Sequence, residues 1–140
     1  MSMQVVFEGA GSKKRHYLLA WICVSLARPL AKMQPNSLCR VLNLLSRGAR
    51  PSLFAEAARA RKEVCVASSK AAGMECLLRS VSVFLLCRMR GHVPTWCTGF
   101  RVDPFAAHAW VEVDGVPVNE LPEIAEYKRV TVVPMKGSLG

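Results

Sequence analysis

The stretch ECLLRSVSVFLLCRMRGH, Glu75 to His92, decides the fold. Apolar residues fall on nearly every side of it, so a helix built from it has no solvent face and must lie at the centre of a core. Glu75 stands at the start, Arg88 and Arg90 near the end, and Gly91 just beyond. An acid at the positive end of the macrodipole, cations at the negative end and a closing glycine mark both ends of a helix. After Gly91 the period changes from helical to alternating. Thr95–Val102, Ala107–Val113, Val116–Glu120 and Arg129–Val133 read as strands. Asp114-Gly115 joins the middle two as a hairpin.

Upstream, helical signals dominate to about residue 72. Tyr17–Met33 is one candidate helix, with Pro29 as its kink or stop. Pro35-Asn36-Ser37 introduces a second, in which Leu38, Val41, Leu42 and Leu45 share a face and Gly48 closes. Pro51-Ser52 opens a third, alanine-rich segment, and Ala72-Gly73 breaks it. Gln4–Phe7 reads as a short strand. Helices followed by a small antiparallel sheet make an α+β fold. Two regions are expected within one compact unit, a mostly helical 1–72 and a core at 73–140.

The chain has 140 residues, 51% of them hydrophobic, which suits one domain with a sizeable core. Its net charge of +9 attracts acidic partners. Clusters such as Lys13, Lys14 and Arg15, or Arg59, Arg61 and Lys62, also fit solvated helix faces. No nucleic-acid motif and no interleaving of aromatic and basic residues accompanies the charge, so nucleic acid is not expected as a partner. The run Tyr17–Ala27 is about half a membrane span. It reads as a buried amphipathic helix of a cytoplasmic protein, since Glu8 precedes the basic cluster and no signal-type cleavage site follows.

Six cysteines, at 23, 39, 65, 76, 87 and 97, form no C-x-x-C and fit neither a metal site nor a disulfide scaffold. Most lie in apolar segments, where cysteine packs as a small hydrophobe. Cys76 differs, because it opens the buried helix. There the free backbone N–H groups and the dipole lower a thiol pKa and can hold an oxyanion. His108 follows on a strand, with an acid or amide on the next one. Thiol, imidazole and an orienting polar group are the apparatus of thiol acyl transfer.

Register bears on the third group. A two-residue Asp114-Gly115 loop pairs Val113 with Val116 and puts Asn119 on the face of His108. A three-residue loop puts Glu120 there. Trp110, two residues from His108, is expected as a packing platform over the site. Glu112 shares that face and is near enough to perturb the imidazole, though acids beside a turn are commonly solvated. Arg79 reads either as an anchor for a peptide carboxylate or as a surface arginine, and His92 as structural.

The runs CLLRS (Cys76–Ser80), RGH (Arg90–His92), PF-AHAWVE-DG (Pro104–Gly115) and VNE (Val118–Glu120) resemble the lasso-peptide B2 leader peptidases. These are transglutaminase-like cysteine proteases of the papain-type group. The resemblance covers about a third of the chain, Cys76 to Pro122. It implies a central helix packed on a small antiparallel sheet, with Cys76 as nucleophile, His108 as general base and Glu120 where the family usually has aspartate. Asn119 is the reserve, since papain-like enzymes use an asparagine in that role. It further implies removal of the leader from a lasso precursor through a thioester, with no cofactor and no metal. The implied partners are the precursor peptide, a B1 recognition protein and an asparagine-synthetase-like cyclase. Two other readings stand beside it: a related thiol acyltransferase with an amine acceptor, and a non-catalytic adaptor that binds precursor or cyclase.

Overall fold

The computed structural model describes residues 10–67 and 75–134, with side chains from Tyr17 onward. The expected strand at Gln4–Phe7 and the expected break at Ala72-Gly73 lie outside the described residues. The order is α1 (Ala10–Ala31), α2 (Pro35–Ser46), β1 (Arg50–Pro51), α3 (Phe54–Ala67) and α4 (Cys76–Met89). Then follow β2 (His92–Val93), β3 (Thr95–Arg101), β4 (Ala106–Val113), β5 (Val116–Pro117), a 3-10 turn (Pro122–Glu126) and β6 (Lys128–Val133). The four main strands form one antiparallel sheet in the order β5-β4-β3-β6, and β1 pairs with β2 in parallel. The architecture is α+β.

Helix α4 is the axle of the molecule. Every residue from Leu78 to Cys87 is buried, the polar Arg79, Ser80 and Ser82 included. It packs against α1, α3 and the sheet at once. The buried serines turn back on their own helix, Ser80 Oγ to Leu77 O (3.1 Å) and Ser82 Oγ to Leu78 O (2.7 Å). Burial without a partner would cost each hydroxyl roughly 1–3 kcal/mol. Trp96 on β3 donates its indole N–H to Ser80 Oγ (2.9 Å), tying the first turn of α4 to the sheet. At the other end Gly91 adopts φ +96°, the left-handed turn that closes the helix.

Helix α1 starts earlier than expected and passes through Pro29, which lies two residues from its end. The proline removes the one bond that its N–H would make to the Ser25 carbonyl, and the helix ends two residues later. One face of α1 (Ala20, Cys23, Val24 and Ala27) is buried in the core, and the other exposes Leu18, Trp21 and Leu26. The helix is therefore apolar on both faces and buried on one, which corrects the expectation of a buried amphipathic helix. In α3, Glu56 accepts from the Leu53 backbone N–H (2.9 Å) and pairs with Arg50, which fixes the helix start. Glu63 on α3 holds Arg59 and also pairs with Arg90 at the end of α4.

The hairpin turn has two residues, Asp114 (φ +54°) and Gly115 (φ +79°), and Val113 pairs with Val116. Strand β5 then stops at Pro117, which corrects the expected strand over Val116–Glu120. Pro117 has no N–H for a ladder. Asn119 takes φ +52°, a left-handed conformation that asparagine tolerates and an extended strand does not. The chain turns off the sheet at that residue.

Candidate active site

Cys76 is the first residue of α4. The N-cap, Glu75, makes no side-chain capping bond, and the first backbone bond of the turn runs from Arg79 N to Glu75 O (3.0 Å). The N–H groups of Cys76, Leu77 and Leu78 thus carry the positive end of the helix dipole without an intrahelical acceptor. Strand β4 brings up the imidazole. Its Ala109, Val111 and Val113 face the core, while His108 stands on the opposite face with its ring stacked on Trp110, centroids 5.8 Å apart and 17° between planes. Tyr127, arriving after the 3-10 turn, lies 5.7 Å away across the imidazole.

Glu120 completes the group. His108 Nε2 lies 2.7 Å from Glu120 Oε1, which leaves Nδ1 as the ring nitrogen for the thiol. The two-residue turn predicts Asn119 at this position, yet Asn119 is exposed and Glu120 reaches the ring. The register argument fails because it extrapolates a strand that ends three residues earlier. Once Asn119 breaks the extended geometry, alternation no longer decides which side chain returns to the sheet. The glutamate's longer arm fits this approach from outside the ladder. Its second oxygen, Oε2, is 3.7 Å from Arg61 Nη2 on α3.

The electrostatics follow from these contacts. Burial pushes the Cys76 thiol up, but it is outweighed by a hydrogen bond with His108, the Ala109 backbone N–H, and the charges of His108 and Arg79. The net effect holds Cys76 below its usual value. His108 moves the other way, to about 9, through its bonds to Cys76 and then Glu120, against a desolvation that opposes the charge. Both shifts favour a thiolate–imidazolium pair at neutral pH. The other shifted thiols move upward on burial, Cys23 to about 11 and both Cys87 and Cys97 to about 12.

A prediction follows. Iodoacetamide at pH 6.5 is expected to alkylate Cys76 before Cys23, Cys87 or Cys97, with labelling located by peptide mass spectrometry. The Cys76 rate should rise through the thiol's depressed pKa and level off below pH 9, while the buried thiols stay slow throughout. Uniformly slow labelling would show that the pair is not formed.

The remaining expected site residues lie close by. Trp110 is buried and donates its indole N–H to Glu112 Oε2 (2.8 Å). Glu112 is itself buried and bonded to Arg129 Nε (2.7 Å). It is therefore no solvated turn acid, and its bonded partners are Trp110 and Arg129 rather than the imidazole. A hollow of about 190 Å³ opens beside these residues, bordered by Tyr127. Arg79 is 8% exposed, which removes the surface-arginine reading and places a buried cation one turn from Cys76. His92 is buried against Ser52, Nδ1 to Oγ 2.6 Å.

Cys76 also borders a cleft of about 450 Å³ whose other wall is formed by Arg28, Ala31 and Lys32, at and just beyond the end of α1. Sequence reasoning missed those two residues, and also Arg61 and Tyr127. None carries a local signal, because each reaches the site only through packing of distant elements. Among the described residues no group of three His, Cys, Asp or Glu side chains could hold a metal ion. No described helix is long and apolar enough to cross a membrane.

A thiol at the start of a buried helix, an imidazole on a facing strand and a carboxylate behind it form an arrangement suited to thiol acyl chemistry. A family model described as the transglutaminase-like superfamily matches residues 20–133, most of the chain. The chain belongs to that superfamily, which includes cysteine peptidases and acyltransferases. Comparison with curated proteins and with solved structures gave no match.

Proposed function

We propose that the chain is a cysteine peptidase that removes the leader from a lasso-peptide precursor. The observation that carries the peptidase reading is the contact order Cys76–His108–Glu120, with the thiol pushed down and the imidazole pushed up. The precursor class rests on the sequence resemblance of Cys76–Pro122 to the B2 leader peptidases. In this reading the Cys76 thiolate attacks the carbonyl of the last leader residue. The oxyanion is held in part by the free N–H groups of the first turn of α4. His108 gives its proton to the departing amine, so the core peptide leaves with a free N-terminus. The leader stays as a thioester on Cys76. A water, deprotonated by the now neutral His108, then releases it as a carboxylate. Glu120 stabilises the imidazolium and fixes the ring. A B1 recognition protein holds the leader, the cyclase takes the freed amine, and the chain acts in the cytoplasm.

The deciding experiment is mass spectrometry of precursor incubated with the chain and its recognition protein. A leader acid and a core with a free amine are expected. If product forms only when a small amine is supplied, and is then the leader amide, the acyltransferase reading replaces this one.

Glu120→Gln keeps a hydrogen-bond partner of the same size but removes the charge. It should lower kcat about a hundredfold with little change in KM, within the range typical of general acid–base groups. Its alkaline limb should shift down from about pH 9, because the imidazolium loses a partner that raises its pKa. An unchanged pH–rate profile would remove Glu120 from the mechanism.

A further inference from the structure

We propose that Arg28 and Lys32 at the end of α1 form a specificity site that reads an acidic side chain of the substrate beside the scissile bond. The cleft that Cys76 lines has Arg28, Ala31 and Lys32 on its far wall, at and just beyond the end of α1, and no residue of the sheet borders it. Arg28 lies in the last turn of α1 and Lys32 in the turn just after it, and both line that wall. Both are exposed, and neither has a hydrogen-bond or ion-pair partner among the described residues.

Other cations of the molecule are held in place. Arg50, Arg61, Arg90, Arg101 and Arg129 are each held by a glutamate. The cleft carries one acid, Glu75, which forms no ion pair with either cation and leaves the wall net positive. The negative end of the α1 dipole favours a cation there, but two neighbouring cations repel each other. A carboxylate seated between them would relieve that repulsion.

Trp21 shares the Arg28 face of α1. It lies seven residues before Arg28, two helical turns along α1, and is 57% exposed. A peptide running along α1 into the cleft would meet an aromatic surface first, then the two cations, then the thiolate. The substrate class is therefore a peptide with an acidic residue next to the cut and an apolar residue about three positions away. Only its being a peptide rests on the peptidase reading.

The test separates the two ideas. Alkylation of Cys76 is followed with iodoacetate and with iodoacetamide, similar in size but one anionic and the other neutral, in wild-type chain and in the Arg28→Ala/Lys32→Ala double variant. The neutral reagent reports the thiolate itself and serves as the internal reference. The ratio of iodoacetate to iodoacetamide rates should fall about fivefold in the double variant at low ionic strength, and the difference should shrink at high salt. Charge reversal, Arg28→Glu/Lys32→Glu, should lower the ratio further. A ratio that is the same in all three proteins overturns the site.

In a second arm, paired synthetic peptides carrying Glu or Gln at each position flanking the cut are offered to the same proteins. Wild-type chain should favour Glu at one position, and the charge-reversed chain should not. If the wild type cuts peptides without any Glu preference, the specificity assignment fails. If no peptide is cut at all, the peptidase reading fails, and the alkylation ratio still decides whether the cleft selects anions.

Discussion

Cys76→Ala chain is expected to release no leader above background, a loss of at least about 10⁴-fold in kcat, the scale seen when one member of a cooperating catalytic group is removed. In the proposed mechanism the effect is large because the thiol is both the nucleophile and the first of the partners that raise His108. Without it, the largest contribution raising the imidazole is gone. The residual group cannot substitute a water attack at a useful rate, since the thioester step is lost. The fold should survive. Cys76 is only partly buried and lies at the end of α4, whose anchorage through Ser80 and Trp96 does not involve the thiol. The measurement is the single-turnover cleavage rate alongside the thermal midpoint. A variant that folds and still cuts would place the chemistry elsewhere.

Gly99→Ala is the second large expectation, and it acts on stability. Gly99 pairs with His108 across β3 and β4, at the point where β3's pairing with β6 shifts register. A Cβ there would stand 2.3 Å from the Lys128 carbonyl oxygen and 2.9 Å from Trp110 Cη2. One of those neighbours is backbone and the other a buried ring, so neither can yield cheaply. The glycine marks a close backbone approach that no other residue fits. Overpacking of this kind costs roughly 1–3 kcal/mol or more, and for a chain of this size that is about a 5–10 °C loss in Tm. The site should suffer with the fold, because Trp110 is the ring that stacks on His108. Differential scanning calorimetry checks the first effect and the iodoacetamide rate of Cys76 the second. An unchanged Tm would mean that β6 moves freely away from β3.

Much of this arrangement was legible in the chain. The placement of Cys76 at the start of a buried helix follows from Glu75, Arg88, Arg90 and Gly91, since both ends of that helix are written in residues with local electrostatic or conformational effects. Strands β3, β4 and β6 follow from alternation, a signal that needs no knowledge of partners. The resemblance pointed to Glu120 as the third member, while register arithmetic for a two-residue turn pointed to Asn119, for a physical reason. Register arithmetic holds only while the backbone stays extended, and Asn119 leaves that region one residue before Glu120. The β1–β2 pairing was invisible because two residues are too few to show a period. The Glu112–Arg129 bond was invisible because it joins strands that are not neighbours in the sheet. The apolar outer face of α1 was misread since hydrophobicity alone does not say which side of a helix finds a neighbour.

The unbroken burial from Leu78 to Cys87 has a consequence for how such a chain can diverge. Ten consecutive positions of α4 are each hemmed in by α1, α3 or the sheet, so nearly every substitution there disturbs packing before it touches activity. The thiol inherits that immobility. The opposite wall of the cleft is under no such restraint, because Arg28 and Lys32 point away from the core and hold nothing in place. If the proposed specificity site holds, a lineage is free to change what it accepts along α1 while the thiol end of α4 stays fixed, and paralogues should differ in preference long before they differ in chemistry.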